Sequence, residues 1–353
     1  MTPAVLLARP EIIELKPYSH AAWLPAHTRL HANEAPWRPS GDETAAGLNR
    51  YPEPQPRALI DRLAALYGQP AHRILATRGS DEAIDALSRV FLRAGTDAIL
   101  QCTPTFGMYQ LAARIQGAGV VEVPLERARG WALDAERVLD AWRPHIKLVY
   151  LCSPNNPTAN LLDPAALQQV CGELDGKAIV VVDEAYIEWS RSAGVADWLD
   201  RYSTLAILRT LSKAHALAGA RIGTLLAQPE LIELARKVVP PYSLAEPAVA
   251  AALRALAPAG AAAAKVRVEQ LLLEREYLAR GLASVRGVEK IWPSDANFLL
   301  IECRDPDRFL ELSLIGGLLV RDTRSHPALP RSLRVTVGTR SENDALLSSV
   351  SRA

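Results

Sequence analysis

Residues 178–186 of the chain read AIVVVDEAY. The first five are apolar, and three consecutive β-branched valines favour a buried strand. Asp183 follows this run, so the sequence predicts a carboxylate at the carboxyl end of a buried strand. An ionised carboxylate in such a place needs a cationic or strongly polar partner. A purely structural role stays open, because aspartates at strand ends often cap the following turn.

Short apolar runs of the same kind lie on both sides of this segment, separated by stretches with helical periodicity such as 57–67 and 80–93. Strands that alternate with helices predict an α/β fold with a mainly parallel sheet covered by helices on both faces. The predicted strands are 74–77, 98–102, 120–123, 147–152, 178–182, 205–208 and 222–226.

Pro240 and Pro241 interrupt the alternation, and we place a domain boundary near residue 240. The segment 246–282 is rich in Ala, Leu, Glu and Arg and predicts one long helix. Strand-like runs follow at 298–302, 318–321 and 333–337, which indicates a smaller α+β domain. The predicted organisation is an N-terminal arm (1–50) packing on the small domain, a large domain (51–240) and a small C-terminal domain (241–353).

The composition is typical of an ordinary globular enzyme. The chain has 353 residues, of which 49% are hydrophobic and 22% charged, and its net charge is +1. This balance argues against a nucleic-acid partner, and no stretch reaches the about 20 apolar residues of a membrane span. The four cysteines lack metal-ligand spacing, so we expect reduced thiols in a cytoplasmic protein and no metal site.

Two common phosphate-binding patterns fail. Gly117 and Gly119 lack the third glycine of the dinucleotide fingerprint, and Gly176-Lys177 is followed by Ala178 instead of Ser or Thr.

Four other segments are predicted to lie at the carboxyl ends of strands, where open α/β sheets bind ligands. Each has an ordinary structural explanation when taken alone. Together they supply a lysine amine, a carboxylate, an amide and an anion site with an arginine. Pyridoxal phosphate requires this set, because its aldehyde needs a lysine, its ring nitrogen a carboxylate and its phosphate a helix N-terminus. The segments are TRGSDEA (77–83), SPNNPT (153–158), VVDEAY (181–186) and RTLSKAHALAGARIG (209–223).

These motifs, together with SDANF (294–298), resemble those of the fold-type-I pyridoxal-phosphate aminotransferases, and most closely the histidinol-phosphate aminotransferase group. The resemblance runs from about Leu15 to Thr339. It implies transamination of histidinol phosphate with 2-oxoglutarate, giving imidazole acetol phosphate and glutamate in histidine biosynthesis. It also implies a homodimer with shared active sites.

The resemblance assigns roles in cofactor binding. Lys213 would form the Schiff base, and its released amine would move a proton between the substrate Cα and the cofactor C4′. Asp183 would pair with the pyridinium nitrogen, while Tyr186 and Asn156 would bond the phenolic oxygen. Phe106 would stack on the ring, where the family usually has Tyr. The phosphate would be held by Gly79, Ser80, Asp81, Thr210, Ser212 and Arg221, and by Tyr51 of the partner subunit.

It also assigns substrate contacts. One arginine can bind both a carboxylate and a phosphate, because its planar fork suits either group. Arg334 matches this arginine and Arg321 a second phosphate contact, although Arg at a strand edge is usually only solvated. The arm residues Tyr18, Asn33 and Glu34 would close over the substrate, beside Tyr51 and Asn156.

Departures from the family pattern affect the arm and one turn. They are NEAPWRPS at 33–40, Lys16 before the arm's Pro-Tyr pair, and Ala159 where a glycine is usual. Two alternatives on the same scaffold therefore stay open, namely a broader aromatic aminotransferase and a threonine-phosphate decarboxylase. A cofactor-binding regulator would need a DNA-binding segment, for which the chain has no spare length, and a protein without cofactor would make the lysine, carboxylate and arginine set accidental.

Overall fold

The computed structural model describes residues 1–24 and 26–351. The α-helices within them are α1 (Pro3–Leu7), α2 (Pro10–Glu14), α3 (Arg57–Tyr67), α4 (Ser80–Phe91), α5 (Met108–Ile115), α6 (Ala135–Ala141), α7 (Pro164–Leu174), α8 (Pro229–Arg236), α9 (Glu246–Ala255), α10 (Pro258–Ala283), α11 (Pro306–Ile315) and α12 (Arg340–Val350). The strands are β1 (Ile74–Thr77), β2 (Ala98–Thr103), β3 (Gly119–Pro124), β4 (Ile146–Cys152), β5 (Ile179–Asp183), β6 (Leu205–Thr210), β7 (Gly223–Ala227), β8 (Val288–Ile291), β9 (Phe298–Cys303), β10 (Arg321–Asp322) and β11 (Ser332–Thr336).

The larger sheet has seven strands in the order β1-β7-β6-β5-β4-β2-β3. Strand β7 runs antiparallel to both of its neighbours, and the other pairs are parallel. The prediction of a mainly parallel sheet is therefore confirmed. Since β1 and β6 are both antiparallel to β7, they share one direction, and the carboxyl ends of β1, β4, β5 and β6 meet at one edge.

Helices cover both faces of this sheet, because successive side chains of a buried strand point to opposite faces. In β5, Val180 and Val182 pack on the face covered by α3, α7 and α9, whereas Ile179 and Val181 pack on the face covered by α4, α5 and α8. All four are at most 1% exposed. Complete burial of such a side chain contributes about 1.5–3 kcal/mol, so these two cores hold the strand ends in place.

The smaller sheet is antiparallel, with the order β10-β11-β9-β8. Together with α10, α11 and α12 it encloses a third core that includes Leu278, Leu299 and Leu333. Strand β8 was not predicted, because its sequence VEKI carries two charges and half of it is exposed. The exact boundary between a large and a small domain stays a prediction.

The prediction of one helix over 246–282 is wrong. Two helices, α9 and α10, meet there at an angle of 73°. Pro258 explains the break, because proline cannot continue a helix but suits the first turn of a new one. Helix α9 contributes Val249 and Ala252 to the core of the large sheet, whereas the far end of α10 packs in the third core.

The N-terminal segment differs from the expectation that it packs on the small domain. Ala4, Ala8 and Ile12 are buried in the core formed by α4 and α8 on the large sheet. Lys237 holds the end of α2, since its Nζ donates to the carbonyls of Ile12 and Ile13 at 3.0 and 2.7 Å. Ala4 lies in α1, Ala8 is the extended residue after it, and Ile12 lies in α2, so two short helices and their link together cover this part of the large sheet's helices.

No single helix in the described ranges is long and apolar enough to cross a membrane, and only the bent pair α9 and α10, taken together, has the required length and composition.

Candidate active site

A cavity of about 130 Å³ lies at the carboxyl edge of β1, β4, β5 and β6. Ten of the twelve predicted cofactor residues line it, and the exceptions are Gly79 and Tyr51. The lining residues are Ser80, Asp81, Phe106, Cys152, Asn156, Asp183, Ala185, Tyr186, Thr210, Ser212, Lys213, Ala218 and Arg221.

Asp183 ends β5 and is 2% exposed. Its Oδ2 accepts a hydrogen bond from the phenol of Tyr109 at 2.6 Å, and its Oδ1 accepts from the amide of Ala185 at 3.1 Å. Burial raises the pKa of Asp183 to about 6, although both hydrogen bonds act to lower it. A cationic partner in the cavity would therefore stabilise the ionised form of Asp183.

Lys213 follows β6 and borders the cavity, with its Nζ 5.8 Å from the centre of the Tyr186 ring. Partial burial lowers the pKa of Lys213, and the charges of Arg334 and Arg221 lower it further. A lowered pKa makes the neutral amine easier to reach, and only the neutral amine is a nucleophile or a base.

Tyr186, Asn156 and Arg334 form a chain of contacts beside the lysine. The Nδ2 of Asn156 lies 3.5 Å from the Tyr186 hydroxyl, and Arg334 Nη1 donates to Asn156 Oδ1 at 2.6 Å. Tyr186 also meets Phe298 edge-on at 5.2 Å. The predicted turn is thus joined directly to an arginine of the smaller sheet, and the Asn156–Pro157 peptide is cis.

The predicted anion site surrounds the first turn of α4. Arg221 Nη1 donates to Ser212 Oγ at 3.2 Å, and Nη2 donates to Asp81 Oδ2 at 3.1 Å. Ser212 is also bound to Thr210, whose Oγ1 lies 2.9 Å from Ser212 Oγ. Hydroxyls, a guanidinium and the free amides of a helix N-terminus together form a site for a phosphate.

Gly79 shapes this site although it does not line the cavity. Its φ is +75°, which L side chains rarely adopt, and a Cβ placed there would overlap the guanidinium group of Arg221. Gly223 at the start of β7 lies so close to the backbone of Gly79 and Ser80 that no side chain fits. Glycine is therefore required on both sides of the close approach between the turn after β1 and the start of β7.

A second cavity, of about 650 Å³, adjoins the first and shares Phe106, Asn156, Tyr186 and Lys213 with it. Arg321 and Arg334 line this space. They are register partners in the antiparallel pair β10–β11, so two like charges stand directly opposite each other. Such a pair is unfavourable unless an anion lies beside it. Burial lowers the pKa of Arg334, and the charge of Arg321 adds to this effect.

The structure does not bring the predicted arm residues to either cavity within one chain. Tyr18, Asn33 and Tyr51 line a separate cavity of about 660 Å³, where the Tyr51 ring stacks on Tyr242 at 4.6 Å. Glu34 is held instead by the other arm residues, since it accepts hydrogen bonds from Arg29, from Arg50 and from the amide of Tyr51.

Sequence reasoning missed several residues of the site. Cys152 lines the cavity and is the register partner of Asp183, and Tyr109 contacts the Asp183 carboxylate. Tyr109 lies three residues after Phe106, in PTFGMY (104–109), so the available signal was a second aromatic residue beside the predicted stacking residue. Ala159 has a φ of +65° and is fully buried, which explains why a glycine is usual at this position.

The donor set fits pyridoxal phosphate. A buried carboxylate with a raised pKa faces the same cavity as a lysine with a lowered pKa, and an anion site closes one end. Within residues 1–24 and 26–351, no group of three or more His, Cys, Asp and Glu side chains is arranged to hold a metal ion.

Comparisons with known proteins agree with this chemistry. A family model described as aminotransferase class I and II matches residues 25–350. The chain belongs to this family, and it is therefore an enzyme of amino-group transfer.

The particular relatives are more specific. The chain is 42% identical over 349 residues to the histidinol-phosphate aminotransferase of Stenotrophomonas maltophilia (strain R551-3), which covers 98% of this chain and 96% of the relative. It is 42% identical over 343 residues to that of Escherichia coli (strain SMS-3-5 / SECEC), with coverages of 97% and 96%. A crystal structure of histidinol-phosphate aminotransferase from Sinorhizobium meliloti, in complex with pyridoxal-5'-phosphate, is similar with a TM-score of 0.79. That structure is 25% identical and covers 86% of this chain and 82% of the other. The predicted family, fold class and cofactor are confirmed by these matches.

Proposed function

We propose that the enzyme exchanges an amino group between histidinol phosphate and 2-oxoglutarate, with pyridoxal phosphate as its cofactor, in histidine biosynthesis. The near full-length similarity to histidinol-phosphate aminotransferases supports this function. The observation in the structure that carries it is the opposed pair Arg321 and Arg334 beside Lys213.

Two opposed guanidinium groups favour a ligand with more than one negative charge. A phosphate monoester carries nearly two charges at neutral pH and can accept bidentate hydrogen bonds from arginine. The dicarboxylate 2-oxoglutarate can use Arg334 as well, because the guanidinium fork fits carboxylate and phosphate oxygens alike. One cavity thus suits both partners of the exchange.

The residues around the smaller cavity would hold the cofactor. When bound, pyridoxal phosphate supplies an electron sink for the carbon that loses its proton. Lys213 would hold the aldehyde carbon and, once released, carry a proton to and from the substrate α carbon. Asp183 would keep the ring nitrogen protonated, Tyr186 and Asn156 would bind the phenolic oxygen, and Phe106 would pack against the ring. Ser80, Ser212, Thr210 and Arg221 would bind the phosphate, with Gly79 and Asp81 shaping the turn.

The direct test supplies the purified holoenzyme with histidinol phosphate and 2-oxoglutarate and measures glutamate. We expect glutamate to form, and to depend on both compounds. Histidinol without its phosphate should be a far poorer substrate, because it offers nothing to the arginine pair. The Lys213→Ala enzyme, assayed in parallel, controls for glutamate from contaminants.

Two results would contradict the proposal and favour one of the alternatives. Phenylalanine with a kcat/KM at least equal to that of histidinol phosphate would indicate a broader aromatic aminotransferase. Release of carbon dioxide from threonine phosphate without 2-oxoglutarate would indicate the decarboxylase.

We further propose a homodimer in which the arm of one subunit completes the site of the other. Large apolar side chains of the arm are exposed in one chain, which is unfavourable for a segment that stays in water. They include Tyr18, Leu24, Leu30, Trp37, Leu48 and Tyr51. Tyr51 of the partner would then reach the cofactor phosphate, and Tyr18, Asn33 and the loop held by Glu34 would close over the substrate.

We also propose a cytoplasmic location. Cys102, Cys152, Cys171 and Cys303 are all free and buried, as expected for thiols in a reducing compartment.

A further inference from the structure

The Asp183 carboxylate of the cofactor cavity contacts a residue to which no role has been assigned. Tyr109 is the second residue of α5 and is fully buried. Its phenol donates to Asp183 Oδ2 at 2.6 Å. In the described part of the chain it is the only side chain that donates a hydrogen bond to this carboxylate.

The fold places Tyr109 there by strand alternation. Tyr150 and Cys152 of β4 lie on the same face of the sheet as Asp183 of β5, and α5 covers this face. The Tyr109 ring stacks on Tyr150 with the centres 4.5 Å apart and the planes at 8°. It also meets Phe106 edge-on at 5.6 Å. Packing on two sides fixes the direction of the hydroxyl, so the donor is rigid.

The electrostatic surroundings make Tyr109 a permanent donor. Burial raises the pKa of Tyr109 well above its ordinary value, and the charge of Asp183 adds to this, so the phenol stays protonated. Two charged side chains also act on Asp183. Asp81 on α4 raises the pKa of Asp183, and Lys213 after β6 lowers the pKa of Asp183. The charge of Asp183 also acts on four neighbouring groups and tends to raise the pKa of each, namely Cys152, Tyr150, Tyr186 and Glu184.

We propose that Tyr109 is a positioning residue of the cofactor site, which holds the Asp183 carboxylate ionised and aimed at the ring nitrogen of pyridoxal phosphate. Without its hydroxyl, one carboxylate oxygen would be left buried without a donor, and a buried charge in that condition is disfavoured. The proposal rests on the cofactor of the proposed function but not on the identity of the substrate.

The test compares Tyr109→Phe with Tyr150→Phe. Both remove one phenolic hydroxyl from the same buried stack, but among the described residues only the Tyr109 hydroxyl, and not that of Tyr150, donates to the Asp183 carboxylate. The measurement is the dissociation constant of pyridoxal phosphate, obtained by titrating the apoenzyme without any substrate. We expect an increase of about tenfold for Tyr109→Phe, the size typical of a lost hydrogen bond to a charged group. Tyr150→Phe should stay within about twofold of the unmodified enzyme.

The pH dependence of the same constant provides a second readout. The hydrogen bond lowers the pKa of Asp183, so its loss raises that pKa. The pH below which cofactor affinity declines should therefore move upward by about one unit in Tyr109→Phe. The visible absorbance of the holoenzyme should change over the same shifted range, and Tyr150→Phe should show neither change.

A double variant separates positioning from packing. In an Asp183→Asn background, Tyr109→Phe should raise the dissociation constant by less than about twofold, because its route of action is gone. An undiminished loss in that background would overturn the proposal and assign Tyr109 to packing. Equal behaviour of Tyr109→Phe and Tyr150→Phe would overturn it as well. Failure of the substrate assay would leave all these binding results untouched.

Discussion

The cofactor cavity and the N-terminal arm are built in opposite ways. The cavity is formed by residues at or just beyond the carboxyl ends of buried strands, such as Asp183 and Lys213, and all of its lining residues come from one chain. Residues 15–51 contain no helix or strand in their described part, and their predicted site residues Tyr18 and Tyr51 face a different cavity. The difference shows that the edge of a sheet fixes the positions of catalytic side chains within one chain. An irregular segment has to pack on another surface before its side chains take fixed positions.

Replacement of Lys213 should have the largest effect. Lys213→Ala removes the amine that holds the cofactor and moves the proton, so we expect turnover to fall by about 10⁴-fold. The visible absorbance of the lysine-bound cofactor should disappear with it. Lys290→Ala, a lysine that packs on Trp292 in the smaller sheet, is the matched control and should keep both. A Lys213→Ala enzyme with near-normal turnover would contradict the role assigned to this lysine.

The free energy of unfolding of the apoenzyme should depend on pH through the buried carboxylate of Asp183. The pKa of Asp183 is about 6 in the folded chain and 3.8 ordinarily, so the folded state holds the proton more tightly. The loss of folding stability caused by ionising Asp183 is therefore absent below about pH 4 and complete above about pH 6. It amounts to about 3 kcal/mol.

Urea unfolding of the apoenzyme measures this penalty by comparison with Asp183→Asn. Between pH 4 and pH 7 the unmodified protein should lose about 3 kcal/mol relative to the variant. Glu188, whose burial also raises its pKa, is present in both proteins and cancels. A difference that does not change with pH would mean that Asp183 is not held as a buried carboxylate.

Removal of Arg334 tests whether one anion site serves both substrates. Arg334→Ala should raise the KM for histidinol phosphate and for 2-oxoglutarate by about 30-fold each, because each loses a bidentate partner. Arg321→Ala should affect chiefly the phosphate substrate. Steady-state kinetics with each substrate varied in turn provide the measurement. An effect of Arg334→Ala on only one of the two would rule out the shared use.

Mixed dimers test whether the arm acts on the partner subunit. Tyr51→Ala should lower kcat/KM by about tenfold, since one hydrogen bond to the phosphate is lost. When Tyr51→Ala and Lys213→Ala subunits are exchanged, a trans arrangement leaves one unaltered site in each mixed dimer. Activity should then rise above that of either parent. No rise on mixing would place Tyr51 in its own subunit or outside the site.

Prediction from the sequence succeeded where a local pattern carries the structure. The strand of β5 and its terminal Asp183 follow from a run of β-branched residues, and the start of α4 follows from Gly79-Ser80. It failed where a second element decides. Pro258 marks the break locally, but the angle between α9 and α10 depends on the packing of α9 on the large sheet, and the burial of Ala4 and Ile12 depends on α4 and α8.

The amino-acid sequence by itself determined the class of fold, the cofactor and the residues at the strand ends, because short apolar runs and the chemistry of lysine, carboxylate and arginine are local properties. Only the tertiary structure decided that Tyr109 meets Asp183 and that Arg321 stands opposite Arg334. Both contacts join residues from different elements, and packing and strand register bring such pairs together over separations that no sequence spacing records.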